Sequence, residues 1–275
     1  MINFKYRNQR NAEATARYWN KPLDKADWYK IEAQADDAAE ILIYDIIGWP
    51  FNDAGELVRT LAEMKQSKIT VRINSPGGDV FDAVAIFNAL QSHKSKIITR
   101  IESLAASAAS FVALAGKEVH AYQNAMFMIH DPWAYSSGNQ YDLREIADIL
   151  EKISLNMVDI YAANGTPGKR EIIQMMKAET WFTAKEAKEK GFIDTIIDGK
   201  AAKAQFDLSM FAHVPDEFMA EGHELTERDA EKALRDAGFS RAKAKALLAG
   251  RSQETDGIEE VAAQIKKLTV RIGGK

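Results

Sequence analysis

Between Lys68 and His130 the chain repeats one pattern: a short run rich in β-branched residues, a turn, and a stretch with apolar residues at helical spacing. Lys68–Asn74 (KITVRIN) places Ile69, Val71 and Ile73 on one face of a strand. Asp82–Gln91 reads as a helix, Lys96–Ile101 as a strand, and Ala105–Gly116 as a helix closed by its glycine. Lys117–Ala121 and Ala125–Ile129 read as two more strands. Upstream, Glu40–Gly48 has strand character, and Asp53–Lys65 carries Leu57, Leu61 and Met64 at helical spacing behind a capping Asp53. Strands that alternate with helices of about ten residues are joined by crossovers rather than hairpins, which makes the fold α/β with parallel strands.

Downstream the pattern changes. Tyr141–Ala163 is predicted as one long amphipathic helix, its stripe formed by Leu143, Ile146, Ile149, Leu150, Ile153, Met157 and Ile160. Asn164-Gly165 and Pro167 end it. Two short helices follow, Lys169–Lys177 and Thr183–Lys190, the second opening on a Thr183/Glu186 capping box. Phe192–Ile197 is a last predicted strand. The expected organisation is an N-terminal arm (1–37), a main domain (38–198), a linker (199–224) and a helical C-terminal tail (225–275). In the arm, Trp19 and Trp28 stand among charges, as anchors or as surface residues. In the tail, Thr226–Gly250 reads as two short helices, the second basic.

Composition narrows the chemistry. The chain has no cysteine, which removes disulfides, thiolate metal sites and a cysteine nucleophile. A net charge of −4 gives no broad basic footprint for nucleic acid. No apolar run approaches the roughly 20 residues that span a bilayer. A cytoplasmic location is expected, with no membrane partner. Neither a Walker loop, nor G-x-G-x-x-G, nor H-E-x-x-H, nor G-x-S-x-G occurs. Nucleotide and zinc chemistry and the α/β-hydrolase elbow are disfavoured on that ground, and no metal or cofactor is expected.

Three features remain. Ser75-Pro76-Gly77-Gly78 lies between a strand and a helix, where adjacent glycines can turn backbone N–H groups outward to bind an oxyanion. Ser107 lies among alanines at the start of a predicted helix, either as a nucleophile favoured by the helix N-terminus or as a cap. His130 ends an apolar strand, either facing a cleft or serving as a satisfied structural histidine.

Taken together, Lys68–Leu90, the Leu104–Phe111 segment, Met128–Pro132 and Glu179–Ile193 occur in an order and spacing that strongly resembles the Clp protease proteolytic subunit (ClpP) family. The resemblance covers roughly residues 38–198. It implies a ClpP/crotonase-like β-α-β spiral with a long handle helix, here followed by the small helical tail. The wording Gly-Gly-Asp-Val-Phe-Asp, Ala-Ala-Ser-Ala-Ala-Ser and Glu-Thr-Trp-Phe-Thr looks most like the phage and prophage branch, whose members act as head maturation proteases. Residue by residue, the resemblance implies Ser107 as nucleophile, His130 as general base, and the backbone N–H groups of Gly78 and Ala108 as the oxyanion hole. Glu179 stands where the family usually has an aspartate, one methylene longer.

The implied function is serine endopeptidase, with a protein or peptide substrate, scaffold or capsid protein in a phage prohead. Ring-shaped homo-oligomers are implied as well. Clp-type members receive substrate from a separate hexameric ATPase, although this N-terminal segment does not match the family's axial loop region. A crotonase-type acyl-CoA enzyme and a catalytically inactive assembly protein share the fold and are the alternative readings.

Overall fold

The computed structural model describes residues 9–19, 28–34, 37–199, 206, 208 and 210–215. The chain divides after His213. Of the second unit only Val214 and Pro215 are described, so the predicted tail helices over Thr226–Gly250 lie outside the described residues, as does most of the expected linker.

The first unit is built on a mixed sheet with eight strands among the described residues. Its elements, in order, are α1 (Gln9–Tyr18), β1 (Tyr29–Gln34), β2 (Ala38–Ile43), α2 (Ala54–Glu63), β3 (Lys68–Ser75), α3 (Val80–Ser92), β4 (Lys96–Ala106) and α4 (Ala108–Ala113). They continue with β5 (Glu118–Tyr122), β6 (Met126–Ile129), α5 (Gln140–Asn164), α6 (Lys169–Lys177), β7 (Thr180–Thr183), α7 (Ala184–Glu189) and β8 (Thr195–Ile197). The strand order is β1-β2-β3-β4-β5-β8, with β6 on β4 and β7 on β6. Strands β2 to β5 run parallel, as the crossover helices require.

Strand β4 is the axis of the arrangement. Its first half pairs with β5 through Ile98–Ile101, and its second half pairs with β6 through Leu104–Ala106. Sequence alone assigns 105–116 to a helix because alanine is a strong helix former. Tertiary pairing overrides that propensity: Ala105 and Ala106 belong to β4, and the helix begins only at Ala108. The strand therefore runs straight into Ser107.

The sheet's inner face is apolar. Ile41, Ile43, Val71, Ile73 and Ile101 are buried, and α2 and α3 cover them with Leu57, Leu61, Ile86 and Leu90. The period-2 alternation sends polar residues to the other face, where four charges form a ladder across β2, β3 and β4. Arg72 pairs with Glu102 at 2.6 Å and Glu40 at 3.1 Å, and Arg100 reaches Glu40 at 3.3 Å. Arg72 and Arg100 are register neighbours, and the two carboxylates offset their repulsion.

Two elements differ from the sequence expectation, and one open alternative is settled. Residues 29–34, placed in the arm, form β1 and pair antiparallel with β2. Trp19 and Trp28 are both buried, which decides between anchor and surface residue. Strand β7 has no counterpart in the sequence reading, because four residues, TWFT, are too few to show a period. The capping box of α7, in contrast, forms as expected: the Glu186 N–H donates to Thr183 Oγ1 and the Thr183 N–H to Glu186 Oε2.

Candidate active site

The end of β3, the end of β4 and the end of β6 open onto one cleft. Gly78, Ser107, Ala108 and His130 all line it. Crossover topology explains the convergence: parallel strands all deliver their following turns to the same edge of the sheet.

At the end of β3, Ser75 anchors the turn by donating to the Asp45 carbonyl at 2.6 Å. Gly77 has φ +101°, and a Cβ there would lie 2.7 Å from both the Ala106 oxygen and the Ser107 Cβ. Only glycine allows the turn to press against the Ser107 backbone. A parallel bridge joins Gly78 to Ile47, with Ile47 N–H donating to the Gly77 carbonyl and Asp79 N–H to the Ile47 carbonyl, both at 2.7 Å. These bonds use the flanking residues' groups and turn the Gly78 N–H to the opposite side. Asp79 then caps α3 by accepting from the Phe81 and Asp82 N–H groups at 3.0 Å, a contribution of about 1 kcal/mol.

Ser107 occupies a strained turn between β4 and α4, at φ +53° and ψ −127°. A non-glycine residue held there costs roughly 1–3 kcal/mol and persists only where its surroundings impose it. Three bonds impose it: the Ser107 N–H donates to the Met128 carbonyl at 3.0 Å, and its carbonyl accepts from the Ser110 N–H at 2.9 Å and from Ser110 Oγ at 2.6 Å. Ser110 Oγ is in turn 2.7 Å from the fully buried Tyr161 hydroxyl on α5. The Ser107 side chain makes no cap bond. Its Oγ lies 2.7 Å from His130 Nε2. Ala108 is the first residue of α4, so its N–H has no acceptor inside that helix.

His130 follows β6 and is 8% exposed. Burial lowers its pKa from the ordinary 6.5, and the carboxylates of Glu179 and Asp131 oppose that shift. The imidazole is therefore neutral near pH 7, with Nε2 free to accept a proton from Ser107 once Nδ1 carries the hydrogen.

Glu179 comes alongside through β7. The last antiparallel pair of β6 and β7 is Ile129–Thr180, and one step beyond it lie His130 and Glu179. Glu179 sits at φ +49°. Its carboxylate acts on His130 through its field, and no hydrogen bond joins the two among the described residues. Instead Oε2 accepts from the Ala212 N–H at 3.0 Å, while Oε1 accepts from the His213 N–H at 2.7 Å and Trp181 Nε1 at 3.3 Å. Asp131, the other nearby acid, is held by Ser154 Oγ at 2.6 Å and has the smaller effect on the imidazole.

Comparison with known proteins agrees with this architecture. The family model for Clp protease matches residues 24–200. The chain belongs to the Clp protease family. Similar family members include the ATP-dependent Clp protease proteolytic subunit 2 of Thermobifida fusca, 34% identical over 148 residues, which are 52% of this chain and 71% of that protein. The subunit 2 of Rhodococcus jostii is 32% identical over 145 residues, 52% of this chain and 74% of the other. Among solved structures, a point mutant of ClpP1 from Listeria monocytogenes superposes with a TM-score of 0.52 at 22% identity, covering 58% of this chain and 91% of that one. This likeness supports the ClpP-like fold expected from the sequence motifs.

The sequence reading missed the residues that surround the triad candidates. Trp19, Phe211 and Met157 also line the cleft. Trp19 carried a signal, since an isolated tryptophan in a polar segment needs somewhere to bury its ring. Phe211 carried none, because its segment has no period. Among the described residues no helix is long and apolar enough to cross a membrane, and no cluster of three or more His, Asp or Glu could hold a metal ion.

Proposed function

We propose that this protein is a serine endopeptidase that works through Ser107, His130 and Glu179, with Gly78 and Ala108 as the oxyanion hole. The observation that carries the reading is the 2.7 Å contact between Ser107 Oγ and the buried His130 Nε2, beside two turns whose N–H groups have no partner within their own element. His130 takes the Ser107 proton as Oγ attacks a peptide carbonyl. The oxygen of the tetrahedral intermediate gathers negative charge, which the Gly78 and Ala108 N–H groups bind. His130 returns the proton to the leaving amine, and water then releases the acyl group by the same path. Glu179 supports the imidazolium formed in between, by its field and, once turned, by accepting from Nδ1–H.

An acyl-CoA enzyme on this fold has no need of a serine–imidazole pair. A purely structural assembly protein has no use for a strained serine aimed at an imidazole.

The finer reading is a phage-type head maturation protease acting on scaffold or capsid protein. The motif wording in the glycine turn, the serine segment and Glu179–Thr183 supports it. Assembly into rings fits helix α5, which leaves Tyr141, Leu143 and Leu155 exposed in the single chain. A second copy packed along this helix would take such exposed apolar side chains out of water.

Ser107→Ala should lower cleavage of a denatured protein substrate by about 10⁴-fold while the fold and particle size stay as in the wild type. Cleavage by the variant at the wild-type rate contradicts the assignment.

A further inference from the structure

Three residues of the chain itself fill the niche beside His130, and they come from beyond residue 200, where the family match ends. Phe211 is 7% exposed. Its ring meets the His130 imidazole edge-on at 5.6 Å, Trp181 at 5.6 Å and Trp19 at 6.2 Å. The next two residues address the acid: the Ala212 and His213 N–H groups each take one oxygen of Glu179. Two successive amides and one aromatic ring thus bind as a short peptide would, across the base and the acid. The same contacts explain why Glu179 makes no hydrogen bond to His130 and why so little of the cleft is open.

We propose that residues 210–213 are an internal cap that holds the site in a low-activity state by engaging Glu179 and covering His130. Trp19, from the other end of the chain, is the second wall of the niche. The inference rests on the hydrolytic reading of Ser107 and His130. A cap tethered to the same chain competes at a high effective concentration, so an incoming substrate must displace Phe211 before the acid can turn toward the imidazole. Withdrawal would free a niche for a large apolar side chain, with Glu179 beside it to accept from main-chain N–H groups or from His130.

The test uses the full chain and a small fluorophosphonate, following the second-order rate of modification at Ser107. Phe211→Glu places a like charge beside Glu179 and should expel the segment. A site closed nine-tenths of the time or more gains about 10-fold or more in rate when the cap leaves. Trp19→Ala, which leaves the Glu179 shell untouched, should give a smaller rise in the same direction. Phe211→Leu keeps the niche filled without the ring and should give a rise of a few-fold, which protects the test if the charged variant fails to fold. A folded Phe211→Glu protein labelled no faster than the wild type overturns the cap alone. A slower rate shows that Phe211 supports His130 and also overturns it. Absence of Ser107 labelling in every form, wild type included, overturns the hydrolytic reading and the cap with it.

Discussion

The two sides of His130 are built differently. On one side, Ser107 and the Gly77-Gly78 turn hang from β3 and β4, the most extensively paired strands of the parallel core, and are locked by backbone bonds to Ile47 and Met128. On the other, Glu179 stands on a single left-handed residue after α6, and its partners are the Trp181 side chain and two amides from beyond the family domain. The proposed nucleophile and oxyanion donors are fixed by architecture that cannot move without breaking the sheet. The acid is fixed by contacts that can be exchanged. On the proposed hydrolytic reading, this arrangement keeps the reactive geometry preorganised and still lets the engagement of the acid vary.

That contrast can be broken from the rigid side first. Gly77→Ala adds a methyl where the Ala106 oxygen and Ser107 Cβ already lie at 2.7 Å. The turn must swing away, taking the Gly78 amide with it, and losing one oxyanion donor costs about 10²–10³-fold in rate. Steady-state cleavage at saturating peptide measures it. Cleavage at the wild-type rate would mean that the glycine turn is only a connector.

The pH profile probes the base between the two sides. Burial holds the His130 pKa below 6.5. The neutral, proton-accepting form therefore persists below that pH, and activity should fall only as the pH drops through the lowered value. Stability follows the same sign: the unfolded imidazole binds its proton more tightly than the folded one, so His130 makes unfolding easier as the pH falls. An acid limb above 6.5 in the wild type would show that a fully engaged Glu179 dominates burial.

The smallest effect is expected at the charge ladder on the far face. Arg100 reaches Glu40 and Glu102 at 3.3 Å and is 23% exposed. Arg100→Ala should cost about 0.5–1 kcal/mol by denaturant melt, in the range of partly exposed pairs, and leave cleavage unchanged. A loss of activity there would tie the outer face of the sheet to the site.

The same contrast governs what could be read from residues alone. The alternation of strand and helix from 68 to 130 is written in periodicity, and the glycine turn, Ser107 and His130 stand out because each departs from an otherwise apolar or small-residue pattern. The extension of β4 through Ala105 and Ala106 was hidden, since alanine favours a helix and only pairing with β3 and β6 makes it a strand. Ser110 looked like one more small residue, and only the fold sets its hydroxyl between the Ser107 carbonyl and Tyr161. The surroundings of Glu179 were out of reach, because main-chain amides at 212 and 213 leave no mark in the side-chain sequence.

The central claim is that Ser107 is activated by His130, and the most direct measurement is mass-spectrometric location of a fluorophosphonate adduct on the intact protein. The account predicts one adduct, on Ser107, absent from Ser107→Ala and strongly reduced in His130→Ala. An unmodified Ser107, or equal modification with and without His130, would contradict it.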